Sequence, residues 1–198
     1  PSEFKQRLID LIGNAAYYVE IKTFHSFAFD LLGKTGNLED AEDVVSKATQ
    51  LIEKGEAEQG RINKAVIVID EAQDMDKDEY SLVRALMQNN EEMRVIAVGD
   101  DDQTIFEFRG ADGKYMQSFV DEMQAVKYEM TENYRSAFKI VGFANQFVRR
   151  ISHRMKSSPC ISMNLEQGLV DITRYDSANL EIPLVNQVIA TYKHERAC

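Results

Sequence analysis

Apolar positions recur with two different periods along the chain, and the two alternate. Phe4, Leu8, Ile9, Leu11 and Ile12 follow helical spacing up to Gly13-Asn14, which predicts a short amphipathic helix. Tyr17–Lys22 alternates and is β-rich, the pattern of a strand. Thr23 then stands at an N-cap position before a helix over Phe24–Leu32, closed by Gly33. Asn37–Gly60 is acidic and helix-prone, with Val44, Val45, Ala48, Leu51 and Ile52 on one face. Lys64–Ile69 and Arg94–Val98 read as parallel strands buried on both faces, and Ala125–Met130 as a third strand. Helices are predicted over Asp78–Gln88, Gly113–Met123, Ser136–Ile151 and Leu180–Tyr192, and a strand over Leu169–Tyr175. Ser157–Gln167, with Ser-Ser-Pro and little periodicity, is the expected linker. Strand and helix alternate throughout, which predicts an α/β fold with a mainly parallel sheet.

The length, 198 residues, suits one full domain plus part of a second. The apolar share is 44% and the charged share 28%, as in ordinary globular proteins. The longest apolar run, Ala65–Ile69, is far short of the roughly 18 residues of a membrane span. Pro1–Asp10 is polar and charged, unlike a signal peptide, and a first residue other than Met suggests a fragment. Cys160 and Cys198 have no metal-ligand spacing, so a reducing cytoplasm is the expected setting. Net charge is −10, the wrong sign for a simple nucleic-acid clamp. Between Asn133 and Leu165, however, stand Arg135, Lys139, Arg149, Arg150, Arg154 and Lys156 without any Asp or Glu. That block points modestly to phosphate, although a solvated helix face explains it as well.

Candidate chemistry gathers where predicted strands end, the edge at which open α/β sheets hold ligands. Val66–Ile69 leads into Asp70-Glu71-Ala72-Gln73-Asp74. Val95–Val98 leads into Gly99-Asp100-Asp101-Asp102-Gln103. Val126–Met130 leads into Thr131-Glu132-Asn133-Tyr134-Arg135-Ser136. The steps from Asp70 to Gln103 and from Gln103 to Arg135 each match one strand–helix–strand unit of about 30 residues, so all three clusters could face one ligand. Asp70 is placed to hold Mg²⁺ beside a triphosphate, and Glu71 to deprotonate an attacking water. Gln103 can hydrogen-bond both a phosphate oxygen and that water. Phe106 and Phe108 could stack on bases, Arg109 could reach a phosphate, and Arg135 could stabilise charge on the γ-phosphate. Each feature taken alone also has a plain reading: solvated loop carboxylates, core phenylalanines, or a surface arginine.

In combination the strings resemble the motifs of UvrD/Rep-type superfamily 1 DNA helicases. Val-Ile-Asp-Glu-Ala-Gln-Asp resembles motif II, and Val-Gly-Asp-Asp-Asp-Gln-Thr-Ile-Phe-Glu-Phe-Arg-Gly-Ala resembles motif III. Thr-Glu-Asn-Tyr-Arg-Ser resembles motif IV, and Thr-Phe-His-Ser at Thr23–Ser26 resembles a segment that touches single-stranded DNA. The resemblance implies a RecA-like P-loop NTPase fold that uses ATP and Mg²⁺ and travels 3′ to 5′ on single-stranded DNA. It implies Asp70 at the Mg²⁺ site with Glu71 beside it as catalytic base, and Gln103 coupling the γ-phosphate to DNA. Arg135 would reach the γ-phosphate from a second RecA-like domain. Phe24, His25, Phe106, Phe108 and Arg109 would meet the strand, with Phe108 where relatives often carry Trp.

The departures are equally specific. No Gly-rich loop ending Gly-Lys-Thr/Ser follows a strand; Gly33-Lys34-Thr35 follows a helix and lacks the upstream glycines. Motifs V and VI are also missing. The expectation is a fragment, inactive alone, with the phosphate loop before Pro1 and the later motifs beyond Cys198. Residues 1–135 would be the later part of the first RecA-like domain, with 34–63 a shortened inserted subdomain. Residues 136–198 would be a bridging helix and the start of the second domain. Two alternatives stay open. One is a nuclease using Asp70, Glu71 and Asp74, or the helicase subunit of an ATP-dependent nuclease; the other is a helicase-derived module that only binds DNA.

Overall fold

The computed structural model describes residues 2–33, 43–104, 112–152, 154–172, 174 and 181–191. The chain forms two compact units. The first comprises Pro1–Glu129 with Ile151–Ser158, and the second Met130–Arg150 with Pro159–Cys198.

The first unit opens with helix α1 (Ser2–Ile12), which ends in a 3-10 turn over Gly13–Tyr18. The strand expected over Tyr17–Lys22 is not formed. Tyr17 and Tyr18 are exposed, and Val19–Lys22 pairs with none of the described strands. Alternation makes a strand only where a neighbouring edge takes the amides. Here Glu20 and Lys22 are used through their side chains instead, in a network with Asp30 and Lys64. Thr23 caps α2 (Phe24–Leu31) as expected, its Oγ1 accepting from the Ser26 amide at 3.2 Å.

Much of the Asn37–Gly60 helix lies outside the described residues. The rest is α3 (Val44–Glu53) and a short α4 (Gln59–Ile62), separated at Gly55, whose φ of +69° no L-residue adopts cheaply. Strand β1 (Val66–Ile69) leads through α5 (Lys77–Asn89) to β2 (Arg94–Ala97). The strands pair in parallel, Val66 against Arg94 and Ile69 against Ala97.

One face of this sheet is core. Val44, Val45, Ala48 and Ile52 of α3 meet Leu82, Ala85 and Leu86 of α5, and Ile67 and Val95 pack against them. A second cluster joins Ile69, Ala72, Met75, Tyr80, Val83 and Phe119, with Tyr80 edge-on to Phe119 at 5.5 Å. The other face departs from the expectation of strands buried on both sides. Val66, Val68, Ile96 and Val98 are exposed, because among the described residues no element covers them.

Helix α5 starts in a reciprocal cap. Asp76 Oδ1 accepts the amides of Asp78 and Glu79, while Glu79 Oε2 accepts the Asp76 amide. Burial, then the neighbouring charge of Asp76, raises the Glu79 pKa from 4.5 to about 7. The folded chain therefore keeps a proton that the unfolded chain releases above 4.5. The stability this proton confers is complete below pH 4.5 and is lost as pH rises through about 7. Glu79→Gln is accordingly expected to raise the Tm at pH 8 and to change it little at pH 4.5. Thermal unfolding at both values checks this, and an equal change at both would refute it.

Helix α6 (Gly113–Asp121) begins at the Asp112 cap. Ala125–Met130, expected as a third strand, is extended but unpaired, with Val126, Tyr128 and Met130 exposed. The ladder starts later, at β3 (Glu132–Asn133) in the second unit. This strand pairs in parallel with β4 (Ile161–Ser162), inside the segment expected as linker. The linker reading failed because two residues carry no detectable period. The Ser136–Ile151 helix is shorter than predicted, α7 (Phe138–Phe147) followed by a 3-10 turn over Val148–Arg150. Of its apolar positions Val141 is buried, while Ile140, Ala144, Phe147 and Ile151 are exposed. The amides of Phe138 and Lys139 donate to Glu166 and Gln167 carbonyls. Leu169–Tyr175 shows no strand among its described residues, and α8 (Glu181–Thr191) matches the last predicted helix. The described architecture is thus mixed helix and strand with two short parallel sheets.

Candidate nucleotide site

The ends of β1 and β2 are tied together beyond their ladder. Val98 donates to the Ile69 carbonyl and accepts from the Ala72 amide, both at 2.8 Å. Two of the polar clusters expected at strand ends therefore lie side by side. The centre of the junction is Gln73, only 2% exposed. Its Nε2 donates to Glu71 Oε2 at 2.8 Å, and its Oε1 accepts the Asp100 amide at 2.9 Å. One buried amide thus holds the carboxylate of one cluster and the backbone of the other. Packing there is tight: a Cβ on Gly99 would lie 2.5 Å from Gln73 Oε1.

Glu71 itself has φ 51° and ψ 45°, a left-handed conformation uncommon for residues with a side chain. The turn starts the 3-10 segment Ala72–Asp74, which returns the chain under β2. Asp70 and Glu71 are both exposed, and Asp70 Oδ1 accepts the Glu71 amide at 3.1 Å. Asp70 is the available Mg²⁺ ligand. One carboxylate plus phosphate oxygens and water is a donor set that Mg²⁺ accepts. Among the described residues no three His, Cys, Asp or Glu side chains converge as a metal cage, so Asp74 does not complete one with Asp70 and Glu71.

Gln103 ends a 3-10 turn over Asp101–Gln103 and is exposed, its Nε2 donating to Asp100 Oδ2 at 2.8 Å. Asp100 Oδ1 accepts the Asp102 amide at 3.1 Å. A returning segment grips this acidic turn. Arg154 donates from Nε to Asp102 Oδ1 at 2.6 Å and from Nη2 to Oδ2 at 2.7 Å, while Lys156 pairs with Asp100 and, at 3.0 Å, with Asp102. The Arg154 guanidinium above all holds the Asp102 carboxyl below its usual range. Burial works against the Lys156 charge, but the bonds to Asp100 and Asp102 outweigh it and raise its pKa.

Two residues of the basic block are therefore spent on carboxylates, which corrects its reading as one phosphate-facing patch. Arg135 lies in the second unit, exposed, at the turn after β3, where Asn133 Oδ1 accepts the Arg135 and Ser136 amides. Phe24 packs against both apolar clusters, whereas His25 beside it is exposed. Phe106, Phe108 and Arg109 lie outside the described residues. Sequence reasoning missed Gln73 as a link. Its position between two carboxylates inside an otherwise apolar turn was the available signal.

Residues 33–124 match the model of the UvrD/REP helicase N-terminal domain. The chain belongs with the UvrD/Rep-like helicases. It is 29% identical to the ATP-dependent DNA helicase Rep of Buchnera aphidicola (subsp. Schizaphis graminum) over 156 residues, 77% of this chain and 22% of that protein. Against Rep of Escherichia coli K12 the identity is 30% over 128 residues, 63% and 19% of the two chains. Against DNA helicase II of Haemophilus influenzae it is 35% over 89 residues, 45% and 12%. This UvrD/Rep-like chain thus spans about a fifth of the length of the Rep proteins it matches.

Proposed function

We propose that the chain carries the hydrolytic part of an ATP-driven DNA helicase that moves on single-stranded DNA, with a role in DNA repair or recombination. The observation that carries this reading is the Glu71–Gln73–Asp100 connection, which fixes the candidate base beside the turn bearing Gln103. Glu71 takes the proton of a water as its oxygen bonds to the γ-phosphorus. The bond from that phosphorus to the bridging oxygen breaks, and ADP leaves with the electron pair. Gln103 turns its amide from Asp100 toward the γ-phosphate or the water, and so reports on the bound nucleotide. Mg²⁺, held by Asp70 and by phosphate oxygens, supplies charge neutralisation. Arg135 adds a guanidinium to the transferring phosphoryl group, and His25 with Phe106, Phe108 and Arg109 meets the DNA.

On this reading the first unit is part of a RecA-like domain and the second begins another. The phosphate-gripping loop, absent from these 198 residues, is supplied by further sequence of a helicase-length protein. The test is ATP hydrolysis by that longer protein with and without single-stranded DNA, beside the 198-residue chain. Turnover stimulated by DNA is expected from the first, and none from the second. An inert longer protein, or robust turnover by the short chain, would overturn the reading.

A further inference from the structure

Ile151–Ser158 folds with the first unit, although the chain on both sides of it belongs to the second. This strap is fastened at two places. At one end Glu129 accepts the amides of Ser157 and Ser158, each at 3.1 Å, and pairs with Lys127 at 3.0 Å. At the other, three successive residues each hold one of three successive carboxylates. Arg154 is bidentate on Asp102, the Met155 amide donates to Asp101, and Lys156 reaches Asp100.

We propose that Arg154 and Lys156 are positioning residues for Gln103, setting the turn from which it acts on nucleotide. The inference rests on the helicase reading of Gln103. Its physical basis is the sharing of one carboxylate: Asp100 Oδ1 takes Lys156, and Oδ2 takes the Gln103 amide. Lys156 therefore fixes the group against which Gln103 is aligned. The strap also neutralises most of a run of three aspartates, whose charge would otherwise repel a polyphosphate. The Asp102 side chain is only 7% exposed, so loss of Arg154 would leave a largely buried carboxylate without its planar partner. Because both ends of the strap lead directly into the second unit, it is also a short covalent route from that unit to the Gln103 turn.

The experiment uses the helicase-length protein and steady-state ATP hydrolysis with saturating single-stranded DNA. Lys156→Met is expected to lower kcat about 10-fold, the scale of a misaligned catalytic group, with KM for ATP shifting less than about 3-fold. Lys156→Arg should restore most of the rate. On a Gln103→Ala background Lys156→Met should add no further loss, since both changes remove one function. Lys156→Gln, which keeps a donor near the same place, replaces Met if the latter unfolds. Full activity in Lys156→Met, or the same fold loss with and without Gln103, overturns the proposal while leaving the helicase reading intact. An unsubstituted protein that does not hydrolyse ATP overturns the helicase reading, and this proposal with it.

Discussion

Glu71→Gln in the helicase-length protein is expected to lower DNA-stimulated ATP hydrolysis by a factor on the order of 10²–10⁴, the usual contribution of a general base. Nucleotide binding should survive. Glutamine keeps the length of the side chain and an oxygen able to accept from Gln73 Nε2, now at 2.8 Å from Glu71 Oε2. The turn and its bond to Asp100 are therefore preserved, and what disappears is an oxygen basic enough to take a proton from water. Phosphate release gives the rate, and equilibrium binding of a fluorescent ATP analogue gives the affinity. Turnover within tenfold of the unsubstituted protein would remove the base from Glu71. Loss of both binding and turnover would instead mark Glu71 as a binding residue.

Gly99→Ala should be the most damaging small substitution near the site. The new Cβ would lie 2.5 Å from Gln73 Oε1 and 3.0 Å from the backbone nitrogens of Ala72 and Gln73. The side chain of Gln73 could swing aside only by giving up Glu71 and Asp100. The backbone atoms cannot yield at all without pulling Ala72 from its 2.8 Å bond to Val98. A cost of about 1–3 kcal/mol is expected from overpacking of this kind. Urea unfolding of the chain measures it. Gln73→Leu serves as the comparison, since it keeps the volume but deletes both hydrogen bonds and leaves the Asp100 amide without its partner. If Gly99→Ala unfolds at the same urea concentration as the unsubstituted chain, the close approach of β2 to the Gln73 turn is wrong.

The polar clusters after β1 and β2 were legible because an apolar run meeting consecutive carboxylates marks a strand end whatever surrounds it. Helices with strong stripes, α3 and α5, were legible for the same reason: their burial is set by their own periodicity. Strands were less so. Tyr17–Lys22, Ala125–Met130 and Leu169–Tyr175 have strand-like composition, but a strand also needs a partner edge, and partnership is not written in the segment itself. The strap was misread because charge along a sequence does not reveal what faces it. Arg154 and Lys156 looked available to phosphate until Asp100 and Asp102, more than fifty residues earlier, were found against them. Gln73 lay in plain view within motif II, yet only its near-complete burial shows that it joins two loops.

The threefold passage of the chain between its units bears on how the protein can be divided. A protease cut at Glu129–Met130 would separate the units in sequence but not in space, since the later fragment still contributes Ile151–Ser158 to the earlier one. Ion pairs and backbone bonds to Asp100, Asp101, Asp102 and Glu129 would then hold two polypeptides together, with an affinity that falls as salt rises. An excised first unit ending at Glu129 would lack its own counterions. Supplying a synthetic 151–158 peptide would be the natural way to make it whole.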